Sequence, residues 1–294
     1  MYKSMSIIGK LFILFTIFVG LGLMAGISLY LDGSKGGFSS NLYLLNNEEK
    51  KNPLTALELL VYILIGTGFL LILSKVFKNK TPFLIIETIV FLFGGFALTY
   101  GLFLYFENSS HALFLSALFV VALALRRFIN PRGIKNIIAG MSAAGVGALL
   151  GISLSPLIAL LFVLMLIVYD VVSVFITQHM LDVAKIVIKH ELAFTLTASE
   201  KGKKVGGKKS IGKSAFRIDL GTGDLLAPIL FSVSLYSINS TLPFVAYISS
   251  LIGFWVMIGM LYYLKRPIPA LLPIMSTSIL ITFAFAFLNQ IQIF

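Results

Sequence analysis

Leu220-Gly221-Thr222-Gly223-Asp224 opens an apolar segment near residues 218–238 that is long enough to cross a membrane. Ionisable side chains are costly inside a bilayer, so an acid that follows two helix-weakening glycines needs a functional reason. A second acid, Asp170, lies deep in an earlier apolar segment, within Val168-Tyr169-Asp170-Val171. Two carboxyls that meet inside a membrane can share a proton and activate water. The five-residue stretch therefore indicates where the membrane-spanning pattern is interrupted and where chemistry is expected.

The composition around this stretch is typical of a polytopic membrane protein. Of 294 residues, 58% are hydrophobic and only 12% are charged, with a mean hydropathy of +0.99. The absence of Cys excludes disulfides and thiolate chemistry. Apolar runs of about 20 residues, the length that spans hydrocarbon, recur nine times. They lie near 8–31, 54–74, 82–106, 110–126, 134–155, 156–179, 218–238, 242–264 and 268–289. We expect one all-α membrane domain, residues 1–294, with nine transmembrane helices.

The distribution of basic residues predicts the orientation of this bundle. The chain has 23 Lys and Arg residues, of which only Lys35, Lys50 and Lys51 fall on the side opposite the N-terminus. Cytoplasmic loops carry the excess of basic residues, so we expect a cytoplasmic N-terminus and, after nine spans, an extracytoplasmic C-terminus. This bias explains the net charge of +11 without a nucleic-acid partner. Residues 181–217 are predicted as a flexible basic cytoplasmic loop, with a short interfacial helix near 181–197.

Three acids in or near the spans are assigned structural roles. Glu58 lies near the outer end of its span, where its side chain can reach water. Glu87 lies about one and a half turns inside the cytoplasmic edge, which favours a hydrogen-bonded role over a catalytic one. Asp219 lies beside Arg217, so a local ion pair explains it.

Asp170 and Asp224 are different because the topology brings them to a similar depth. Asp170 precedes His179 by nine residues and Asp224 follows Arg217 by seven. At a helical rise of about 1.5 Å per residue, they lie roughly 13 Å and 10 Å below the cytoplasmic edge, on antiparallel helices. Two carboxyls in one site cannot readily both ionise. One can therefore take a proton from water while the other donates to a peptide carbonyl.

The backbone near these acids is predicted to be irregular. The glycines weaken the helix and let another backbone approach Asp224, and Pro228 removes a helical hydrogen bond from the Asp224 carbonyl. Residues 215–220 alternate apolar and polar side chains, which favours a strand that could pair with an unwound substrate. Three prolines, Pro267, Pro269 and Pro273, forbid a regular first turn in the last span.

These residues resemble a known set of motifs. Tyr169-Asp170, Gly221-Thr222-Gly223-Asp224 and Pro269-Ala270-Leu271 are similar to the YD, GxGD and PAL motifs of the presenilin and signal peptide peptidase family of intramembrane aspartyl proteases. They occur in the family's order, on the sixth, seventh and ninth spans. The resemblance implies a nine-helix, presenilin-like bundle in which Asp170 and Asp224 are catalytic. The implied supporting residues are Tyr169, Gly221, Thr222, Gly223, Pro269, Ala270 and Leu271.

The resemblance also implies the substrates and partners. It implies cleavage of transmembrane polypeptides, or of signal-peptide remnants, within the lipid bilayer of the cell, with neither a metal nor an organic cofactor. The compact chain lacks the large loop of presenilin and its extra domains, which suits a prokaryotic, archaeal-type homologue without obligate protein subunits. Thr222 departs from the more usual apolar residue, which affects the expected substrate preference.

Two other classes of function fit the same residues. A proton- or cation-coupled transporter or channel also places acids beside broken helices, usually with an inverted repeat that this sequence lacks. A chaperone that binds peptides at the site without cutting them is the second alternative. A zinc protease is disfavoured because His190-Glu191-Leu192-Ala193-Phe194 has Phe where the second His of HExxH is required.

Overall fold

The computed structural model describes residues 2–46, 49–76, 80–106, 109–129, 134–177, 187, 192–199, 217–264 and 268–293. Within these ranges the chain forms nine α-helices and one two-stranded sheet. The helices are α1 (Tyr2–Ser34), α2 (Leu54–Val76), α3 (Thr81–Phe103), α4 (Ser109–Ile129), α5 (Lys135–Ser153), α6 (Pro156–Val171), α7 (Gly223–Ser234), α8 (Leu242–Leu264) and α9 (Leu271–Leu288). The strands are β1 (Thr195–Ser199) and β2 (Arg217–Gly221).

Most of the helices meet the requirements of a membrane span. Eight helices in the described part of the chain are long and apolar enough to cross a bilayer. The ninth, α7, is shorter, although a 3₁₀ turn extends it to Ser237. A π-helical turn, Val172–Ile176, likewise extends α6. The outer faces are apolar, as a lipid-facing surface requires; Ile65 and Phe69 of α2, for example, are 62% and 54% exposed.

The short helix α7 is held by small residues on two neighbouring helices. A Cβ on Gly22 of α1 would lie 2.9 Å from Ile229, and a Cβ on Gly147 of α5 would lie 3.0 Å from the same side chain. One turn further, a Cβ on Gly26 or on Gly151 would approach Val233 more closely still. The pairs Gly22/Gly26 and Gly147/Gly151 therefore pack closely against Ile229 and Val233 of α7, and this contact positions the helix that carries Asp224.

The segment that leads into α7 differs from the one predicted. The apolar run that was predicted to span the membrane from residue 218 begins as strand β2. The depth of about 10 Å predicted for Asp224 assumed a helical rise from Arg217, and this assumption is wrong because Arg217 to Gly221 form a strand, in which the rise per residue is larger. Residues 195–197, predicted as the end of an interfacial helix, belong to strand β1. Residues 181–186, 188–191 and 200–216, which make up most of the predicted flexible loop 181–217, lie outside the described residues.

Candidate active site

Asp170 lies near the end of α6 and is held by the first backbone N–H of α9. The Leu271 N–H donates to Asp170 Oδ2 at 3.2 Å, and Ala270 is the residue that precedes α9. The first N–H groups of a helix have no partner within the helix, so this donor is available and lies at the positive end of the helix dipole. The Pro269-Ala270-Leu271 segment thus orients one carboxyl directly.

Asp224 lies in the first turn of α7 and folds back on the end of β2. Its Oδ2 accepts a hydrogen bond from the Gly221 N–H at 3.1 Å. A Cβ on Gly221 would lie 3.2 Å from the same oxygen, whereas a Cβ on Gly223 would meet nothing within 4 Å. Neither glycine has a positive φ. A glycine at position 221 therefore leaves room for the carboxyl of Asp224. The sequence instead predicted that the glycines would let another backbone approach Asp224.

The helices that carry the two acids adjoin one another. Helices α6, α7 and α9 contact one another pairwise. Both side chains are half-buried, and among the described residues the second oxygen of each accepts no protein hydrogen bond. Each acid thus has one oxygen fixed by a backbone N–H and one oxygen available to water or a substrate. This arrangement can perform paired general acid and base chemistry.

The small sheet is attached directly to this site. Strands β1 and β2 are antiparallel, with Thr195 opposite Gly221 and Thr197 opposite Asp219. The pairing continues one step beyond the strand, where the Thr222 N–H donates to the Phe194 carbonyl at 3.2 Å. The position of Gly221, and therefore of the donor to Asp224, is set by the register of these two strands.

The outer edge of β1 is closed by a side chain of α5. The Asn136 amide accepts from the Thr197 N–H at 3.0 Å and donates to the Thr197 carbonyl at 2.9 Å, as a neighbouring strand would. Thr197 therefore directs its backbone groups away from β2. Backbone groups alternate along an antiparallel ladder, so the opposite residue, Asp219, directs its own away from β1. No strand in the described part of the chain pairs with that edge of β2.

The remaining predicted site residues fall around this centre. Tyr169 is half-buried beside Asp170, Thr222 precedes α7 and accepts the first helical hydrogen bonds there, and Pro269 is buried. Pro228 lies inside α7, which is α-helical from Gly223 to Ser234, so the irregular backbone predicted around this proline is wrong. Pro267 lies outside the described residues.

Two structural assignments made from the sequence have different outcomes. Glu87 forms a buried ion pair with Arg127, so its predicted hydrogen-bonded role is confirmed. Asp219 accepts a hydrogen bond from the Thr197 hydroxyl, while the side chain of its predicted partner, Arg217, lies outside the described part of the chain. Among the described residues, no group of three or more His, Asp or Glu side chains could hold a metal ion.

Sequence reasoning missed two residues that shape the site. Asn136 has no signal in the pattern, because its role depends on a strand brought to it by the fold. Arg127 is one of the 20 basic residues that the charge bias places on the side of the N-terminus, although an acid within an apolar span, Glu87, signals a basic partner.

One protein family and two solved structures match this chain over most of its length. The family model described as signal-peptide peptidase, presenilin aspartyl protease matches residues 38–291. Two solved structures, both described as a presenilin family intramembrane aspartate protease, one in space group C222 and one in P2, superpose with a TM-score of 0.63. The first is 21% identical over 94% of this chain and 99% of its own; the second is 22% identical over 93% and 96%. Comparison with curated proteins gives no significant match.

Proposed function

Because this chain belongs to the signal-peptide peptidase and presenilin family of aspartyl proteases, we propose that Asp170 and Asp224 are the catalytic pair with which it hydrolyses peptide bonds inside the membrane. The protein is an intramembrane aspartyl protease that acts on membrane-embedded substrates. The comparisons give no support to the transporter or channel alternative. One observation carries the assignment of the pair: each carboxyl is oriented by a backbone N–H at 3.1–3.2 Å, and each keeps one oxygen for reactants.

The reaction needs one ionised and one protonated carboxyl. The ionised carboxylate removes a proton from water, the hydroxide adds to the peptide carbonyl carbon, and the protonated partner donates to the carbonyl oxygen. The tetrahedral diol then collapses as the C–N bond breaks. One carboxyl protonates the leaving nitrogen, and the other recovers a proton from a diol hydroxyl. The pair returns to its starting state without any other reactant.

The substrate is proposed to bind as an added strand on the outer edge of β2. The backbone groups of alternate β2 residues are directed to that edge by the ladder, and one of them, the Gly221 N–H, already contacts Asp224. A substrate strand paired with this edge would lead its backbone to the carboxyl. A transmembrane helix has its backbone groups bonded internally, so it must unwind before it can pair in this way.

Substrates are proposed to approach from lipid across α6. Val168 is 63% exposed, and Asp170, two residues and about 200° further round the helix, faces inward. One wall of the site therefore borders the bilayer directly. Substrates in this proposal are single transmembrane polypeptides or signal-peptide remnants, and no protein subunit is required.

The chain is a multi-pass membrane protein, and we propose that its N-terminus is cytoplasmic and its C-terminus extracytoplasmic. The cytoplasmic assignment is supported by the cations at one end of the bundle. Lys10 of α1 shares a cavity of about 360 Å³ with Asn136 and Thr197, and Lys135 contacts the hydroxyls of β1. The catalytic pair is thus proposed to lie near the cytoplasmic surface, where water can reach it.

Purified protein in vesicles that contain a single-span substrate tests the assignment. The wild type should cut the substrate, and a peptide mimic with a hydroxyl at the scissile position should bind it. The Asp224→Ala variant should do neither, whereas Glu58→Ala, which removes an exposed acid of another span, should behave as wild type. Normal cutting by Asp224→Ala would refute the assignment. Ion flux through the wild type with no cutting would favour a transporter.

A further inference from the structure

A buried ion pair joins α3 to α4 at a distance from the catalytic pair along the chain. Arg127 Nε donates to Glu87 Oε1 at 2.6 Å, and Arg127 Nη2 donates to Glu87 Oε2 at 3.2 Å. The two side chains are only 4% and 3% exposed. Removing two charges from water is costly, and a hydrophobic pair of similar size is often as stable. The pair therefore calls for a role beyond holding two helices together.

Glu87 has a further partner that is far away in sequence. The Ala193 N–H donates to Glu87 Oε2 at 2.8 Å, across 106 residues. Around it, Val187 and Leu192 pack with Phe83 of α3 in a small separate apolar cluster. The chain that leads into β1 is thus docked on α3, with a charged hydrogen bond at its centre.

Few steps connect this contact to the catalytic acid. Ala193 is followed by Phe194, whose carbonyl accepts the Thr222 N–H at 3.2 Å. Thr195 then pairs with Gly221, and the Gly221 N–H donates to Asp224 Oδ2 at 3.1 Å. A shift of the chain at Ala193 would therefore displace β1, its partner strand β2, and the Gly221 N–H that donates to Asp224.

We propose that Glu87 is a positioning residue for the protease, which fixes β1 through Ala193 and thereby sets the geometry of β2 and Asp224. Arg127 orients the Glu87 carboxylate, because its planar fork engages both oxygens and directs Oε2 at the Ala193 N–H. The inference rests on the proposed function, because it assigns Glu87 a part in the same reaction. Neither residue touches the reacting atoms.

Two double variants separate positioning from stability. Glu87→Gln/Arg127→Met removes both charges but keeps a side-chain oxygen that can accept from Ala193. Glu87→Leu/Arg127→Met also removes both charges, but it leaves the Ala193 N–H without its acceptor. The Gln variant buries an amide NH₂ group without a designed partner, so it should be no more stable than the Leu variant. A positioning role predicts that activity does not follow stability.

The measurements are kcat and KM on a single-span substrate in vesicles, with the apparent Tm of each protein. We expect Glu87→Gln/Arg127→Met to keep kcat within about threefold of wild type. We expect Glu87→Leu/Arg127→Met to lose about tenfold or more in kcat, the effect of one charge-assisted hydrogen bond, at an equal or higher Tm.

Equal kcat values for the two variants, or kcat values that follow Tm, would overturn the positioning role and leave the ion pair as a helix contact. A wild type that cuts no substrate would instead refute the proposed function. The two failures are therefore distinguishable in one experiment.

Discussion

Substitution of Gly221 by Ala tests the geometry of Asp224 at the level of one methyl group. The added Cβ would lie 3.2 Å from Asp224 Oδ2, which is closer than ordinary van der Waals contact, so the carboxyl must shift by a few tenths of an ångström. That shift stretches the 3.1 Å hydrogen bond from the Gly221 N–H. Since the φ of Gly221 is not positive, the Ala backbone itself is unstrained there.

The size of the effect follows from the bond that is weakened. A hydrogen bond to a charged group contributes about 1.5–3 kcal/mol. If most of it is lost in the transition state, kcat/KM should fall by roughly 10- to 100-fold, since each 1.4 kcal/mol is about tenfold. Gly223→Ala is the matched control, because its Cβ meets nothing within 4 Å and Ala favours the first turn of α7.

The assay is cleavage of a single-span substrate in vesicles by equal amounts of folded protein, with the apparent Tm measured for both variants. We expect Gly223→Ala to stay within about threefold of wild type, and both variants to keep their Tm within a few degrees. Equal losses for the two Ala variants would refute the reasoning, because the glycines would then act through chain flexibility. Wild-type kcat/KM in Gly221→Ala would show that the contact with Asp224 does not matter.

Three further predictions concern packing, the sheet and topology. Gly26→Val should lower the free energy of unfolding by about 1–3 kcal/mol, because the new side chain meets Val233. Gly66→Val, with nothing near its Cβ, should lower it much less. Equal Tm values for the two variants would contradict the close packing of α1 against α7. Asn136→Leu should lower the free energy of unfolding by about 2 kcal/mol, because two hydrogen bonds of 2.9 and 3.0 Å are lost. The same substitution should also lower kcat. An unchanged Tm and kcat would show that β1 does not need Asn136 as a partner. The chain has no Cys, so each introduced Cys can be labelled specifically by a maleimide that does not cross the membrane. The maleimide should label Lys10→Cys only from the cytoplasm and Ser40→Cys only from outside. The reverse pattern would show that the orientation is opposite to the one proposed.

The membrane-spanning architecture can be predicted from the sequence because hydrocarbon imposes a simple length rule on apolar runs. The structure begins α8 at Leu242 and ends it at Leu264, the bounds that hydropathy alone predicts. The acids are also visible, because any ionisable residue within such a run calls for a partner or a function. The alternation before Gly221 predicts β2 for the same kind of local reason.

The partners of these elements depend on tertiary contacts and have no local signal. Strand β1 is five residues long, and it is held by Asn136 of α5 and by the chain docked on Glu87. Neither contact is encoded in the Thr195–Ser199 stretch itself, which is why the sequence predicts an interfacial helix as far as residue 197 and no strand. The role of Gly221 was missed in the same way, since the group that needs its space is a side chain three residues later.

The central claim, that Asp170 and Asp224 act as one catalytic unit, is tested most directly by a double-mutant cycle with Asn at both positions. Residues that act as a unit show strongly non-additive losses. We predict that Asp170→Asn and Asp224→Asn each reduce cleavage of a single-span substrate to background, and that the double variant falls no further. Substantial cleavage by either single variant, or losses that simply add in the double variant, would contradict the claim.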